Sequence, residues 1–557
     1  MYGFTILKGV TPYSQSERTL SFSDCVCVNN MIHKFEGDKI FTETDEYIVI
    51  LDGITLNKTD LCKGEFWYKT VIQLYESYGD SFCSYLRGCF CGAIYDKKKD
   101  KWVIFTDHLG QRYIYYYVKE GKLICSPMMS EIYNNLRANG IVYHMDKKAP
   151  YMILTYGYML EGYTLCEEVK KIQPGCYITY KNCQVTEHNY YQLKNDPNNL
   201  TEEECIEKLD ALFRKAVALQ YNKDKEYGYK HICALSAGLD CRMTTFVAHE
   251  LGFTRQMNIT FSESGFSDEY IPKKMARALK HEWMYKALDN GMWLYEVDKI
   301  TRSTCGNVLF MGVAHGDSLF RYMNFSELGM IHSGQLGDVT IGTHMKDYNE
   351  KFEPGEGAYS VKYIKYLDFE YQNPYPNKEI GSWYNRYLNG AINGQQNEYN
   401  YTETFSPFTD LDFLEFCLSI PVKYRYNHHI YKKWIVKKYP LAASFEWDKL
   451  GAKLTAPCIT INNKQIALLS SPSRLFRKVL VKFGIAPESF KKGMNPIASY
   501  LKTNKELSDY LDSYYDNLNV IEDVRLCNIL KDIKENGNSL EKNQAVSLLA
   551  AAKMYFN

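Results

Sequence analysis

A chain of 557 residues is too long for one ordinary core and predicts about two to four domains. Its 66 lysines and arginines balance 66 aspartates and glutamates, a neutrality that gives no support to a nucleic-acid or membrane-surface partner. The 45% hydrophobic and 24% charged fractions are those of a globular protein, and the 48 tyrosines are read as compositional bias.

Residues 1 to about 195 read as strand-rich. Glu46–Leu51, Gly92–Tyr95, Trp102–Phe105 and Tyr113–Tyr117 are short apolar or aromatic runs between turn residues. Helical patterns come between them, over Trp67 to Tyr78 and Met129 to Leu136, so a layered α+β domain is predicted. Cys25-Val26-Cys27 and Cys89-Phe90-Cys91 put paired thiols on one face of a strand, where free cysteine behaves as a small buried hydrophobe. The 17 cysteines are irregularly spaced and include no Cys-x-x-Cys. With no secretory leader pattern and no apolar run near ~18 residues, a cytoplasmic, reduced protein without membrane insertion is expected. Pro174-Gly175 signals a turn, and Lys194 to Asn199 reads as a linker.

From Thr201-Glu202-Glu203-Glu204 the pattern turns helical, with Leu209, Leu212, Phe213, Val217 and Leu219 near helix spacing. His231 to Arg242 then runs from an apolar strand through Ser236-Ala237-Gly238 into a helix start. Such a junction suits an anion: small residues let the backbone approach it, and unpaired N–H groups at the helix start point towards it. An ordinary strand-to-helix turn has the same local pattern. Gln256 to Ser262 is a second strand, giving a βαβ unit with parallel strands and a ligand site at their carboxyl ends. Met330 to Val339 again runs from strand into a Gly-rich loop. The twelve histidines show no compelling metal spacing, and His428-His429 are expected to be exposed.

Taken together, these pieces resemble the asparagine synthetase family. Ser236-Ala237-Gly238-Leu239-Asp240-Cys241 is similar to its pyrophosphate loop, Ser-Gly-Gly-x-Asp-Ser, and Ser333 to Val339 to its Ser-Gly-Glu-Gly-x-Asp-Glu. Thr260-Phe261-Ser262 with Ser267-Asp268-Glu269, Phe405 to Asp410, and Tyr431 to Lys437 follow in the family's order. Glu446 to Gly451 resembles a Trp-containing loop in a subgroup associated with surface-polysaccharide synthesis. In the first half, Asp52-Gly53 with Asn57, Gly88-Cys89-Phe90, Asp107-His108-Leu109-Gly110, Ser130-Glu131, Tyr156-Gly157-Tyr158 and Ile172 to Gly175 resemble the family's glutaminase domain.

The resemblance implies two units. Residues 1–195 would be a degenerate glutaminase-like, class II amidotransferase domain, a layered αββα sandwich of the Ntn type. Residues 200–557 would be a Rossmann-like parallel α/β ATP-pyrophosphatase domain with a helical C-terminal extension. ATP and Mg²⁺ would be the cofactors. Leu235, Ser236, Ala237, Gly238, Asp240, Cys241, Thr260, Phe261, Ser262, Ser333, Gly334 and Gly337 would bind the nucleotide. Asp240 and Asp338 would share the metal, Lys433 would neutralise the α-phosphate and departing pyrophosphate, and Gln335 would hold the acceptor.

The departures are as informative. Met1-Tyr2-Gly3-Phe4 has no cysteine where active relatives carry their nucleophile, Asp52 replaces an oxyanion-binding asparagine, and Cys89 replaces an ammonium-binding aspartate. No counterpart of the carboxylate-gripping arginine is evident in Asn29 to Tyr47. Glutaminase activity is therefore expected to be absent. Gln335 and Val339 replace acidic residues, and an amide cannot take a proton. The implied reaction is amide formation through an acyl-adenylate, releasing AMP and pyrophosphate, from a small-molecule or peptide carboxylate and ammonia or an amine. A sugar acid is one candidate substrate. Intramolecular cyclisation, as in β-lactam synthetases and lasso-peptide cyclases, is an alternative, as is an impaired nucleotide-binding scaffold. RNA thiolation through Cys241 finds little support. A homodimer is left open.

Overall fold

The computed structural model describes residues 2–13, 18–367, 375–461, 464–467 and 493–557. Met1 and residues 468–492 of the expected C-terminal helical region lie outside them. Among the described residues the first half holds twelve strands: β1 (Phe4–Lys8), β2 (Thr19–Phe22), β3 (Cys25–Asn29), β4 (Ile40–Glu43), β5 (Tyr47–Thr55), β6 (Gly88–Asp96), β7 (Lys101–Thr106), β8 (Tyr115–Lys119), β9 (Lys122–Ser126), β10 (Val169–Lys171), β11 (Cys176–Lys181) and β12 (Gln184–Asn189). They form two six-stranded sheets, ordered β10-β8-β9-β1-β3-β2 and β12-β11-β7-β6-β5-β4, with antiparallel pairing throughout.

Alternation along β5 explains the layering. Ile48 and Ile50 point into the core between the sheets with Phe4, Ile6, Cys27, Cys91, Ile104 and Cys125. Tyr47, Val49 and Leu51 point the other way, under Trp67, Val71 and Tyr75 of the helix Trp67–Tyr78. A strand buried on both faces reads as a continuous apolar run. The outer face of the other sheet packs Tyr115, Tyr117 and Ile124 against Met129, Ile132 and Tyr133 of the helix Met129–Ala138. The result is the expected αββα arrangement. Cys25, Cys27, Cys89 and Cys91 are buried as expected, and all 17 cysteines are unpaired.

Residues 190–201 carry no helix or strand. Thr201 then caps the long helix Glu202–Glu226 through a capping box with Glu204, which satisfies otherwise orphaned N–H groups reciprocally. The second half is built on five parallel strands, β13 (Lys230–Ala234), β14 (Gln256–Ser262), β15 (Glu282–Ala287), β16 (Leu328–His332) and β17 (Thr404–Phe405), ordered β15-β14-β13-β16-β17. Helices cover both faces: Asp240–Glu250 and Ser267–Leu279 bury Met243, Val247, Ile271 and Met275 on one side, and Met311–Phe320 buries Leu319 and Phe320 against Ile232, Ile259 and Ile331 on the other. The chain progresses outward from β13 in one direction, then restarts beside it with β16. Ligands of such sheets sit at that switch point, at the strands' carboxyl ends. No helix among the described residues is long and apolar enough to cross a membrane.

Candidate active site

Both Gly-containing loops leave the carboxyl ends of the adjacent strands β13 and β16. The first is braced from several sides. Thr260 Oγ1 donates to Leu235 O at 2.7 Å, the Ala237 N–H donates to Asp268 Oδ1 at 2.6 Å, and the Gly238 N–H donates to Ser236 Oγ at 3.3 Å. Buried Arg242 reaches Ala237 O (3.0 Å), Glu446 O (2.6 Å), Ala442 O (3.0 Å) and Phe445 O (3.2 Å). The helix Asp240–Glu250 starts directly behind this loop.

Close packing joins the second loop to the first. A Cβ at Gly334 would lie 2.2 Å from Cys241 N, and one at Gly337 would lie 2.6 Å from Asp240 Cγ, so both positions need glycine for contact rather than for backbone freedom. Leu336, between them, has φ 65° and ψ 11°, a left-handed conformation costing a non-glycine residue about 1–3 kcal/mol. Thr244 Oγ1 donates to Ser333 O at 3.1 Å, Ser406 Oγ donates to Gln335 O at 2.8 Å, and Gln395 Nε2 donates to Gln335 Oε1 at 2.8 Å.

This packing brings the two aspartates together. Asp240 Oδ1 accepts from the Tyr431 hydroxyl at 2.8 Å; burial first, then the nearby Asp338 carboxylate, push its carboxyl well above the usual range. Asp338 is partly exposed, and Lys449 Nζ lies 3.3 Å from its Oδ2. A paired carboxylate site with oxygen ligands and excess negative charge fits magnesium.

Several of the expected site residues lie away from the paired carboxylates or are bonded within the fold. Lys433 does not approach the carboxylates; it projects outward to Glu202 (2.5 Å) and Glu203 (2.9 Å). Tyr431 faces Asp240, and two residues further along a helix is a rotation of about 200°, which turns Lys433 to the opposite side. Lys449, on the turn between the short strands Glu446–Trp447 and Ala452–Lys453, is the lysine at the site. Thr260 and Ser262 end β14 beside the first loop, but both hydroxyls serve the fold: Thr260 braces Leu235 and accepts from Trp283 Nε1 at 2.9 Å, and Ser262 Oγ donates to Glu263 O at 3.1 Å. Phe261 packs its ring 5.0 Å from His315. Asp268 is a buried loop strut rather than a solvated helix start, and burial raises its carboxyl to about 6. The Cys241 thiol is pushed up to about 12, chiefly by burial, which removes the reactive thiolate that sulfur transfer needs. His429 is exposed as expected, whereas half-buried His428 packs on Gly342, where a Cβ would meet its Nδ1 at 2.2 Å.

Two further clusters escaped sequence reasoning. Beneath the site, Asp224 accepts from His231 Nδ1 (2.9 Å), His332 Nε2 (2.8 Å) and the Met330 N–H (2.9 Å). This pins β13 to β16. In the first half, Tyr2, Asp52 and Cys89 do converge, together with four groups the sequence did not suggest. Arg112 bonds Asp52 through Nη1 and Glu403 through Nη2, Lys39 lies 3.0 Å from Glu403 and 3.6 Å from Asp52, and the Tyr399 hydroxyl lies 3.1 Å from Cys89 Sγ. Lys39 and Arg112 are the cations of this buried cluster, and Tyr399 and Glu403 come to it from the second half.

Residues 57–191 match the family described as a glutamine amidotransferase domain. Asparagine synthetase (glutamine-hydrolyzing) 1 of Bacillus subtilis is 24% identical over 277 residues, which are 47% of this chain and 42% of that protein. Amidase chry2 of Gibberella zeae is 28% identical over 126 residues, 22% of this chain and 18% of its own. The matches span less than half the length of both curated relatives. Among solved structures, the allosteric regulatory enzyme of purine biosynthesis aligns with 51% of this chain and 74% of its own at 9% identity and a TM-score of 0.24. The glutamine phosphoribosylpyrophosphate amidotransferase of B. subtilis covers 51% and 59% at 9% identity and a TM-score of 0.23; at such scores neither adds to the fold described above. The chain thus carries a glutamine amidotransferase-type segment and is similar to an asparagine synthetase over nearly half of its length.

Proposed function

We propose that this amidotransferase- or ligase-type protein forms an amide bond by activating a carboxylate with ATP, releasing AMP and pyrophosphate, and passing the acyl group to ammonia or an amine. The observation that carries the reading is the meeting of Asp240, Asp338 and Lys449 where the loops after β13 and β16 touch. Asp240 and Asp338 would hold magnesium, which supplies charge neutralisation to the phosphates when bound. The first loop cradles the phosphates, kept in shape by Asp268 and Arg242, and Lys449 stabilises the departing pyrophosphate. Gln335, fixed by Gln395 and Ser406, orients the incoming nitrogen by hydrogen bonding but takes no proton; the acceptor therefore arrives as a free amine or ammonia.

The first half is proposed to lack glutaminase activity. Tyr2 stands where the expected thiol would be, and Arg112, Lys39 and Glu403 fill the space a glutamine would need. A sugar acid is the proposed class of activated carboxylate, an assignment resting on the sequence resemblance around Trp447. A nucleotide-binding scaffold is the second reading, favoured by the departures at Ala237, Cys241, Gln335 and Val339.

The test needs no knowledge of the acceptor. Ligand at a hundredfold excess over its dissociation constant stabilises the native state by about 2.7 kcal/mol. Mg-ATP is expected to raise the melting temperature of the wild type but not of Asp240→Ala/Asp338→Ala. No shift at millimolar Mg-ATP would overturn the nucleotide reading. Carboxylates are then screened for pyrophosphate release; binding without release for any carboxylate would favour the scaffold.

A further inference from the structure

We propose that Lys39, Asp52, Arg112 and Glu403 form a positioning device through which the first half of the chain sets the conformation of the loop Ser333–Asp338. The inference rests on reading that loop as part of the nucleotide site. All four side chains are buried, at 6%, 1%, 2% and 2% exposure, and their formal charges cancel. Lys39, Asp52 and Arg112 come from the sandwich; Glu403 comes from the other half and immediately precedes β17.

β17 needs such an anchor. It is an edge strand of two residues, with ladder partners only at Ile331↔Thr404 and His332↔Phe405, so the sheet alone fixes it weakly. Its backbone and flanks are bonded directly to the loop strand. Ile331 N–H donates to Glu403 O at 2.8 Å and Ser333 N–H to Phe405 O at 2.9 Å. Thr404 Oγ1 donates to Ile331 O at 3.3 Å, and Ser406 Oγ holds Gln335 O. Glu403 therefore anchors one end of a four-residue segment whose other end grips the loop.

Arg112 is a rigid post for that anchor. Its N–H donates to Asp107 Oδ2 at 3.0 Å, and its guanidinium lies 4.3 Å from the centre of the Tyr399 ring. Gly53 makes room, since a Cβ there would lie 3.0 Å from Arg112 Nε and 2.2 Å from Cys89 O. Loss of Arg112 leaves two carboxylates against one ammonium in a buried site, an imbalance that drives Glu403 outward.

The experiment is amide hydrogen exchange on the full chain, with Mg-ATP affinity as a second readout. Arg112→Met is expected to accelerate exchange at Ile331 and Ser333 by about tenfold or more, leaving Ile232 and Cys233 in β13 protected, and to weaken Mg-ATP by a similar factor. Arg112→Met/Asp52→Asn restores neutrality around the Lys39–Glu403 pair and should recover both quantities, as should Arg112→Lys in part. Glu403→Gln provides the same test if Arg112→Met does not fold. Unchanged exchange at Ile331 and Ser333, uniform acceleration throughout the sheet, or a double variant no better than the single would each overturn the proposal. Should the wild type not bind Mg-ATP, the nucleotide reading fails, while exchange at Ile331 and Ser333 still decides whether the device exists.

Discussion

Two lysines separate what chain position suggests from what geometry allows. Lys433 belongs to a motif-like stretch yet spends its charge on Glu202 and Glu203 at the surface, where ion pairs are worth little. Lys449 stands at Asp338. Lys449→Ala is therefore expected to lower pyrophosphate release by about 10² or more, whereas Lys433→Ala leaves it near wild type, as measured on whichever carboxylate supports turnover. Lys171 makes a different residue-scale prediction. It is buried beside Asn389 Oδ1 and 4.6 Å from the Tyr113 ring centre, and burial lowers its ammonium to about 7 from the usual value of 10.5. Between these pH values the unfolded chain binds the proton and the folded one does not, so this group makes stability rise with pH by at most about 1.4 kcal/mol per unit. The difference in unfolding free energy between Lys171→Met and wild type should shift in favour of wild type from pH 7 to pH 10; a constant difference would exclude the assignment.

At the scale of elements, the hairpin carrying Lys449 is only as well placed as Arg242 makes it. Four carbonyls share that one guanidinium, an arrangement a lysine cannot reproduce with three donors on a flexible stem. Arg242→Lys is expected to weaken Mg-ATP binding about as much as Lys449→Ala does, and also to lower the melting temperature, which Lys449→Ala should not. Gly334→Ala should push the two loops apart and abolish Mg-ATP stabilisation, since the added methyl meets backbone at Cys241. These elements also divide what was legible in the sequence from what was not. The helix Trp67–Tyr78 was readable to the residue because its apolar period is local, and the loops after β13 and β16 because small residues and aspartates cluster there. Arg242 was invisible as a clamp, since three of its four partners, Ala442, Phe445 and Glu446, lie far along the chain and all four are carbonyls, which carry no sequence signal. Thr260 and Ser262 show the opposite ambiguity: a hydroxyl near a ligand site and one bonded to a neighbouring carbonyl look alike in sequence.

In the whole molecule the two halves are not independent bodies joined by a linker. The last helix, Ser539–Phe556, lies against the outer face of the sandwich: Tyr555 stacks on Tyr133 at 4.3 Å, and Gln544 Nε2 donates to Ile153 O and Leu154 O at 3.0 Å each. A cut between residues 195 and 200 would strip that layer and uncover Tyr133, Met152 and Leu154, so residues 1–195 expressed alone are expected to aggregate. Co-expression with residues 196–557 should restore solubility, and a soluble monomer of the isolated segment would contradict this picture.

If the first half is a glutaminase that has lost its chemistry, as proposed, its buried charge cluster carries a consequence for how such a chain changes over generations. An empty pocket that has lost its nucleophile can regain function by restoring one residue. A pocket sealed by charges borrowed from a distant part of the chain cannot, because each single reversal leaves an unmatched charge in a dry interior. Restoring cysteine, asparagine and aspartate at positions 2, 52 and 89 would still leave Arg112 bound to Glu403. On that reading the arrangement would work as a ratchet: with Glu403 paired to Arg112 and Lys39, an open pocket would be reached only by passing through less stable proteins.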